Sequence, residues 1–251
     1  MNRDLQLALT LADQSDEITM KWFRSAALKV RAKADQSPVS AADEEVERMI
    51  RTSIERELPG DGIVGEEFGT TGESSRRWIV DPIDATKNYI RGIPVFATLI
   101  ALEENGRITA GVVSSPALSK RWWASAGDGA FCNGQLMHVS RVASIEEAYL
   151  SYDSVASFDP YGITHSFVVL AGRCARTRAF GDFWSHMLVA EGAIEIAVEP
   201  EVAPWDMAPV QIIVEEAGGR FSDVAGHAHY NAGSGVSTNG LVHDAVLEAL
   251  R

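Results

Sequence analysis

Trp78-Ile79-Val80-Asp81-Pro82-Ile83-Asp84-Ala85-Thr86-Lys87-Asn88 is the stretch from which the rest of the chain can be read. Its first three residues are apolar and β-prone and predict a buried strand. The strand is expected to end at Asp81, because Pro82 has no N–H with which to continue a ladder and fixes the direction of the chain. Across that turn Asp81 and Asp84 can aim at one point, and the carbonyl of Ile83 between them offers a third oxygen. Thr86 adds a hydroxyl, and N–H groups at the start of a following helix would face an anion. Taken alone, Asp-Pro-x-Asp is also an ordinary surface turn.

Two further acidic clusters change that balance: Gly65-Glu66-Glu67 upstream and Trp205-Asp206-Met207-Ala208-Pro209 downstream. Carboxylates brought together repel one another, and hard divalent cations are the ordinary reason for such a gathering. Oxygen ligands without Cys or His favour Mg²⁺ or Mn²⁺ over zinc. His138, His165, His186, His227, His229 and His243 show no ligand spacing. Cations combined with N–H groups make a site for phosphate.

Composition excludes several classes. With 251 residues and 46% hydrophobic content, the chain can form one large domain or two small ones around a real core. A formal charge of −13 argues against a nucleic-acid partner. No apolar run approaches the about 18 residues of a membrane span, and the N-terminus lacks the apolar core of a signal peptide, so a cytoplasmic protein without a membrane partner is expected. Cys132 and Cys174 read as reduced packing residues, with a disulfide as the alternative.

Leu7, Leu11, Ile18 and Trp22 predict a first amphipathic helix to about residue 25. Ser40 and Asp43 form a capping box that opens a second helix, stopped by Pro59-Gly60, and the polar segment Lys33–Ser40 lies between the two. Asn105-Gly106, between the apolar runs 96–102 and 108–113, predicts a hairpin, so the first half contains antiparallel sheet. Arg121-Trp122-Trp123-Ala124 reads as a further strand and Asp128–Gly134 as a turn-rich connection. A composition break near 137–146 suggests two domains, 1–140 and 141–251. Beyond it, strands at 148–152, 175–180 and 194–199 alternate with helices at 162–173, 183–192, 206–217 and 239–250, as in α/β layering. Gly69–Ser75 has no apolar anchor and is expected to move, with gating of the site as one use.

The segments Trp78–Asn88, Trp205–Pro209 and Glu216-Ala217-Gly218-Gly219 resemble the signatures of the inositol monophosphatase superfamily, and the resemblance runs from about residue 5 to the C-terminus. It implies an α/β/α/β/α sandwich with a mixed, largely antiparallel N-terminal sheet, a Mg²⁺-dependent phosphatase with two to three cations, and a homodimer, to which the apolar hairpin could lend an interface. Carried over, the first cation is held by Glu66, Asp81 and the carbonyl of Ile83, and the second by Asp81, Asp84 and Asp206. Glu66 and Thr86 position the attacking water, while Glu67 either orients them or is solvated. The segment 33–40 closes over the site, and Asp43 neighbours a third, weakly held cation or simply caps its helix. Asp206 also reads as a helix N-cap. Lys87 either neutralises substrate phosphate or balances the acids. One departure is Ala85, where the family has Gly: its N–H can still meet phosphate, but a positive φ there would strain an alanine.

Specificity in this superfamily lies with whatever grips the alcohol half of the ester. Gly181-Asp182-Phe183-Trp184-Ser185-His186 is similar to the histidinol-phosphate phosphatase branch more than to the inositol branch, which has small residues at the place of Asp182. The implied reaction is L-histidinol phosphate plus water to L-histidinol plus phosphate, a step of histidine biosynthesis. Inositol 1-phosphate or another small ester is the alternative substrate. A carboxylate at 182 would pair with the ammonium or imidazole that inositol lacks. Glu199 falls where the family contacts the far end of the substrate, or else is a surface glutamate. Trp184 and Arg121-Trp122-Trp123 read as core or as flanks for an imidazole.

Overall fold

The computed structural model describes residues 2–33 and 37–251. α1 (Arg3–Trp22) starts at Asn2, whose side chain accepts from the Leu5 N–H at 2.8 Å. β1 (Val30–Ala32) and β2 (Pro38–Ser40) pair as a small antiparallel ribbon. The polar segment expected between the helices is therefore part strand, and its centre, residues 34–36, lies outside the described residues. α2 (Ala41–Glu57) opens on the expected capping box, with Asp43 Oδ2 accepting from the Ser40 N–H at 2.8 Å and from the Ser40 hydroxyl at 2.5 Å. Next come β3 (Gly62–Gly65), β4 (Gly69–Thr71), β5 (Arg76–Asp84), α3 (Thr86–Ile90), β6 (Ala97–Glu104), β7 (Arg107–Ser115), β8 (Lys120–Ser125), β9 (Gly129–Cys132) and β10 (Gln135–Leu136). The remaining elements are β11 (Tyr149–Tyr152), α4 (Thr164–Arg173), β12 (Arg176–Arg178), α5 (Asp182–Ala190), β13 (Ile196–Glu199), α6 (Pro204–Glu216), β14 (Arg220–Ser222), β15 (Gly235–Thr238) and α7 (His243–Ala249).

The first large sheet has the order β10-β9-β8-β7-β6-β5-β3-β4 and is antiparallel except where β3 runs parallel to β5. The second is β12-β11-β13-β15-β14, parallel on both sides of β11. Side-chain alternation along each strand sorts the layers. Trp78, Val80, Ile100 and Leu102 pack under α1 and α2, whereas Ile79, Leu99, Ala101 and Val113 face α5 and α6. In the second sheet Ile196 and Val198 meet α4 and α7, while Ala197 turns back toward Val189 of α5. The result is five layers, α/β/α/β/α, with α5 and α6 between the sheets. α6 presses on β7 so closely at Gly111 that a Cβ there would lie 2.7 Å from Ile212 Cγ2 and 3.0 Å from Pro209 Cα.

Four expectations need correction. The strand does not end at Asp81: Asp81 pairs with Leu99, the register shifts, and the ladder resumes with Asp84 opposite Ala97. Pro82 sits in the bulge, where no N–H is required, and its carbonyl accepts from Thr98 Oγ1 at 2.8 Å. Gly69–Thr71 is not loose, because it pairs with β3 and Arg51 donates to Thr71 Oγ1 at 3.0 Å and to the Gly69 carbonyl. The hairpin forms at Asn105-Gly106, both with positive φ as its turn demands, but α1, α2 and α6 cover its apolar side chains. It therefore offers no free apolar face for a dimer. The final helix begins at His243 rather than 239, since Asn239 Oδ1 accepts from the Leu241 and Val242 N–H groups in a turn.

Candidate active site

The bulge in β5 aims its carboxylates. The Ile83 N–H donates to Asp81 Oδ1 at 2.9 Å, the geometry of an Asx turn, and the Phe183 N–H at the start of α5 donates to Asp84 Oδ2 at 2.9 Å. Asp206 is the third residue of α6 rather than its N-cap, and its Oδ2 accepts from the Ala203 N–H at 2.8 Å. Two elements, β5 and α6, thus bring one oxygen each of Asp81, Asp84 and Asp206 within 4.8 Å of one another, with α5 anchoring Asp84. Burial, then the charges of Glu66, Asp84 and Asp206, hold Asp81 well above the ordinary carboxylate range. Asp84 is raised by burial and then by Asp182 and Asp206, and Asp206 is raised to about 7 by burial, with Glu66 and Glu199 adding to it. Buried acids whose chief charged neighbours are other acids fit a divalent cation held by oxygen.

These side chains line a cavity of about 410 Å³, together with Glu66, Ile83, Ala85, Thr86, Lys87, Asp153, Asp182 and Trp205. Ala85 adopts the left-handed conformation at φ 63°, ψ 44°, which strains an alanine as foreseen for a positive φ at this position. The Thr86 hydroxyl donates to the Ile83 carbonyl at 2.9 Å and lies 3.4 Å from Asp43 Oδ1. Asp182 also has a positive φ, 50°, after Gly181 at 72°. Two left-handed non-glycine residues on one cavity wall are the kind of local strain found at working sites.

The structure brings Glu66, Asp81, Ile83, Asp84, Ala85, Thr86, Asp182 and Asp206 to one cavity, and leaves Asp43, Glu67 and Glu199 behind its wall. Asp43 is fully buried beneath Thr86, raised to about 6 by burial. Glu67 is raised to about 7, by burial first, although Lys33 bridges it to Glu66 with contacts of 2.8 Å each. Burial works against the Lys33 ammonium, but Glu66 and Glu67 outweigh it and raise the group. Glu199 is buried beside His186, which removes the surface reading. Trp122 is buried and donates to Glu191 at 2.6 Å, Arg121 pairs with Asp13 and Asp16, and Trp184 packs on Phe180, so none of them lines the cavity.

Three residues escaped the sequence. Asp153, just past β11, has no motif around it, and only its place at a strand end before a turn could have drawn notice. Trp205 stands inside a quoted signature that gives it no role of its own. Glu47 is fully buried on α2 and accepts from the Glu67 and Phe68 N–H groups at 2.7 and 3.1 Å while pairing with Arg51 at 2.7 Å. It fixes the turn that carries Glu66, and a Cβ at Gly65 would collide with it.

The chain matches the inositol monophosphatase family over residues 2–251. It is 49% identical to a histidinol-phosphatase of Mycobacterium tuberculosis over 253 aligned positions, covering 98% of this chain and 97% of that one. A histidinol-phosphatase of Streptomyces coelicolor is 46% identical, with 97% and 95% covered. Among solved structures, an IMPase of Thermotoga maritima superposes with a TM-score of 0.89 at 33% identity, covering 99% and 97% of the two chains. The extragenic suppressor protein suhB of Bartonella henselae gives 0.92 at 28%, covering 100% and 99%.

Proposed function

The chain belongs to the inositol monophosphatase family, which is metal-dependent, and on that premise we propose that it is a Mg²⁺-dependent phosphomonoesterase that hydrolyses histidinol phosphate. The observation that carries the substrate is Asp182, a carboxylate on the wall of the same cavity as Asp81, Asp84 and Asp206, where it can receive a cationic alcohol. Its pKa is raised to about 8 by burial and by Glu199, Asp153 and Asp206, so a positive group arriving there relieves repulsion as well as pairing.

Glu66, Asp81, the Ile83 carbonyl, Asp84 and Asp206 would hold the cations, which when bound supply charge stabilisation for the phosphoryl oxygens and for the leaving alkoxide. Glu66 and Thr86 orient the attacking water, and Glu67 with Lys33 holds Glu66 in place. The oxygen of that water bonds to phosphorus as the ester P–O bond breaks, one of its protons passes to solvent, and the departing alkoxide takes a proton from solvent in return. The products are histidinol and inorganic phosphate. Lys87 on the cavity wall faces phosphate charge, and the Ala85 N–H is the amide beside it. Asp43 acts through Thr86 rather than on substrate. The family resemblance also carries a homodimer, which light scattering on the eluting protein checks.

The test is phosphate release in Mg²⁺ from histidinol phosphate, inositol 1-phosphate, fructose 1,6-bisphosphate and adenosine 3′,5′-bisphosphate. Histidinol phosphate is expected to have the highest kcat/KM. A preference for inositol 1-phosphate overturns the substrate assignment and leaves the reaction class standing.

A further inference from the structure

Behind the Asp182 turn lies a line of polar side chains that the phosphate chemistry does not use: Ser237 on β15, His186 on α5 and Glu199 on β13. His186 is fully buried, and its Nδ1 lies 2.7 Å from Ser237 Oγ. Its Nε2 faces Glu199 Oε2 at 3.7 Å, just beyond hydrogen-bond range. Among the described residues neither His186 Nε2 nor Glu199 Oε1 has a hydrogen-bond partner, though both side chains are buried. Buried polar atoms are almost always paired, so two orphans on facing side chains mark an arrangement that a third group completes.

The backbone keeps this line open. Glu199 stands opposite Gly235 in the β13–β15 register, and a Cβ on Gly235 would lie 2.6 Å from Met207 Sδ and 3.6 Å from His186 Cε1. The charge of Glu199 is felt by Asp182, Asp84 and Asp206, all on the cavity wall, which puts the carboxylate just behind that wall.

We propose that His186 is a positioning residue for Glu199. The Ser237 hydroxyl donates to Nδ1 and so fixes the ring proton on Nε2; a small turn of the Glu199 carboxylate closes the 3.7 Å gap, so that Nε2 holds Oε2 and Oε1 moves from behind the wall to accept from a donor on the alcohol half of the substrate. This rests on the cavity being the phosphatase site, but not on which alcohol the substrate carries.

Two substitutions separate positioning from packing, because asparagine keeps a nitrogen near the place of Nδ1 while glutamine keeps one near Nε2. kcat and KM are measured on the ester that the wild type turns over best, along with inhibition by inorganic phosphate. His186→Asn is expected to raise KM about tenfold while kcat and the phosphate inhibition constant stay within about threefold. His186→Gln is expected to bring KM back to within about threefold of wild type. Ser237→Ala, which frees the tautomer, should raise KM to an intermediate value. Equal KM shifts in the Asn and Gln variants, or a fall in kcat with altered phosphate inhibition, overturn the proposal by showing a packing role. Should His186→Asn fail to fold, an unchanged KM in Ser237→Ala overturns it instead. If the wild type prefers an uncharged ester, the histidinol phosphate assignment fails while the Asn–Gln contrast on that ester still decides the role of His186.

Discussion

The two ends of the cavity are built differently. At the Asp81–Asp84–Asp206 end each carboxylate accepts from a backbone N–H or sits in a ladder, and the elements behind it are an inner strand of the larger sheet and a helix packed hard against that sheet. At the Asp182 end the carboxylate stands on a turn in which two successive residues have positive φ, and its neighbours Asp153 and Glu199 come from a different sheet. The first end is fixed by the layers of the fold. The second is fixed by a turn that another sequence can redraw without disturbing a sheet. A shared reaction with divergent substrates follows from that division of labour.

The largest effect should come from the fixed end. Asp84→Asn and Asp206→Asn are each expected to lower kcat by at least about 100-fold while the protein stays folded, because a lost ligand charge misplaces the cation. Near-normal turnover in either variant would erase the distinction between the two ends. At the other end, Asp182→Asn should cost about ten- to a hundredfold in kcat/KM on histidinol phosphate and change little on inositol 1-phosphate. Equal losses on both esters would make Asp182 structural.

A third expectation concerns the protein stripped of metal. Asp206 and Glu67 are raised to about 7 and Asp182 to about 8, so each binds its proton more tightly folded than unfolded. Their contribution to stability is full below the usual carboxylate range and is lost as pH rises through those values. In chelator, the melting temperature should therefore fall between pH 5.5 and pH 8, and Mg²⁺ should restore it at pH 8. A melting temperature that rises across this range would show that the carboxylates are not in repulsion. The smallest effect belongs to the backbone: Ala85→Gly releases a left-handed alanine and should stabilise the fold by about 1 kcal/mol, with activity nearly unchanged. A drop in melting temperature would mean that φ 63° is not strained there.

Much of this was legible. Asp81, Asp84, Thr86 and Asp206 sit in long motifs whose spacing encodes the geometry, and the capping box at Ser40 and the turn at Asn105-Gly106 act through local chemistry that a short window contains. What escaped was set by distant partners. Glu47 looks like any helix-face glutamate until Gly65 and the turn at residues 66–68 are folded over it. Pro82 breaks a ladder in isolation, but a bulge beside Thr98 absorbs it. Gly235–Thr238 carries no apolar alternation and yet is a fully buried strand, because both its faces are covered.

The contact between Gly111 and Pro209 has a mechanical consequence. Asp206 lies one turn before Pro209, so the seating of a helix on a glycine of the larger sheet sets where a carboxylate from the second half of the chain meets two from the first. A cation held there would rivet segments that the unfolded chain keeps far apart, and its binding energy would double as folding energy. Loosening that seat would scatter the charges before any layer melts, and heat should silence the enzyme at a lower temperature than it unfolds it.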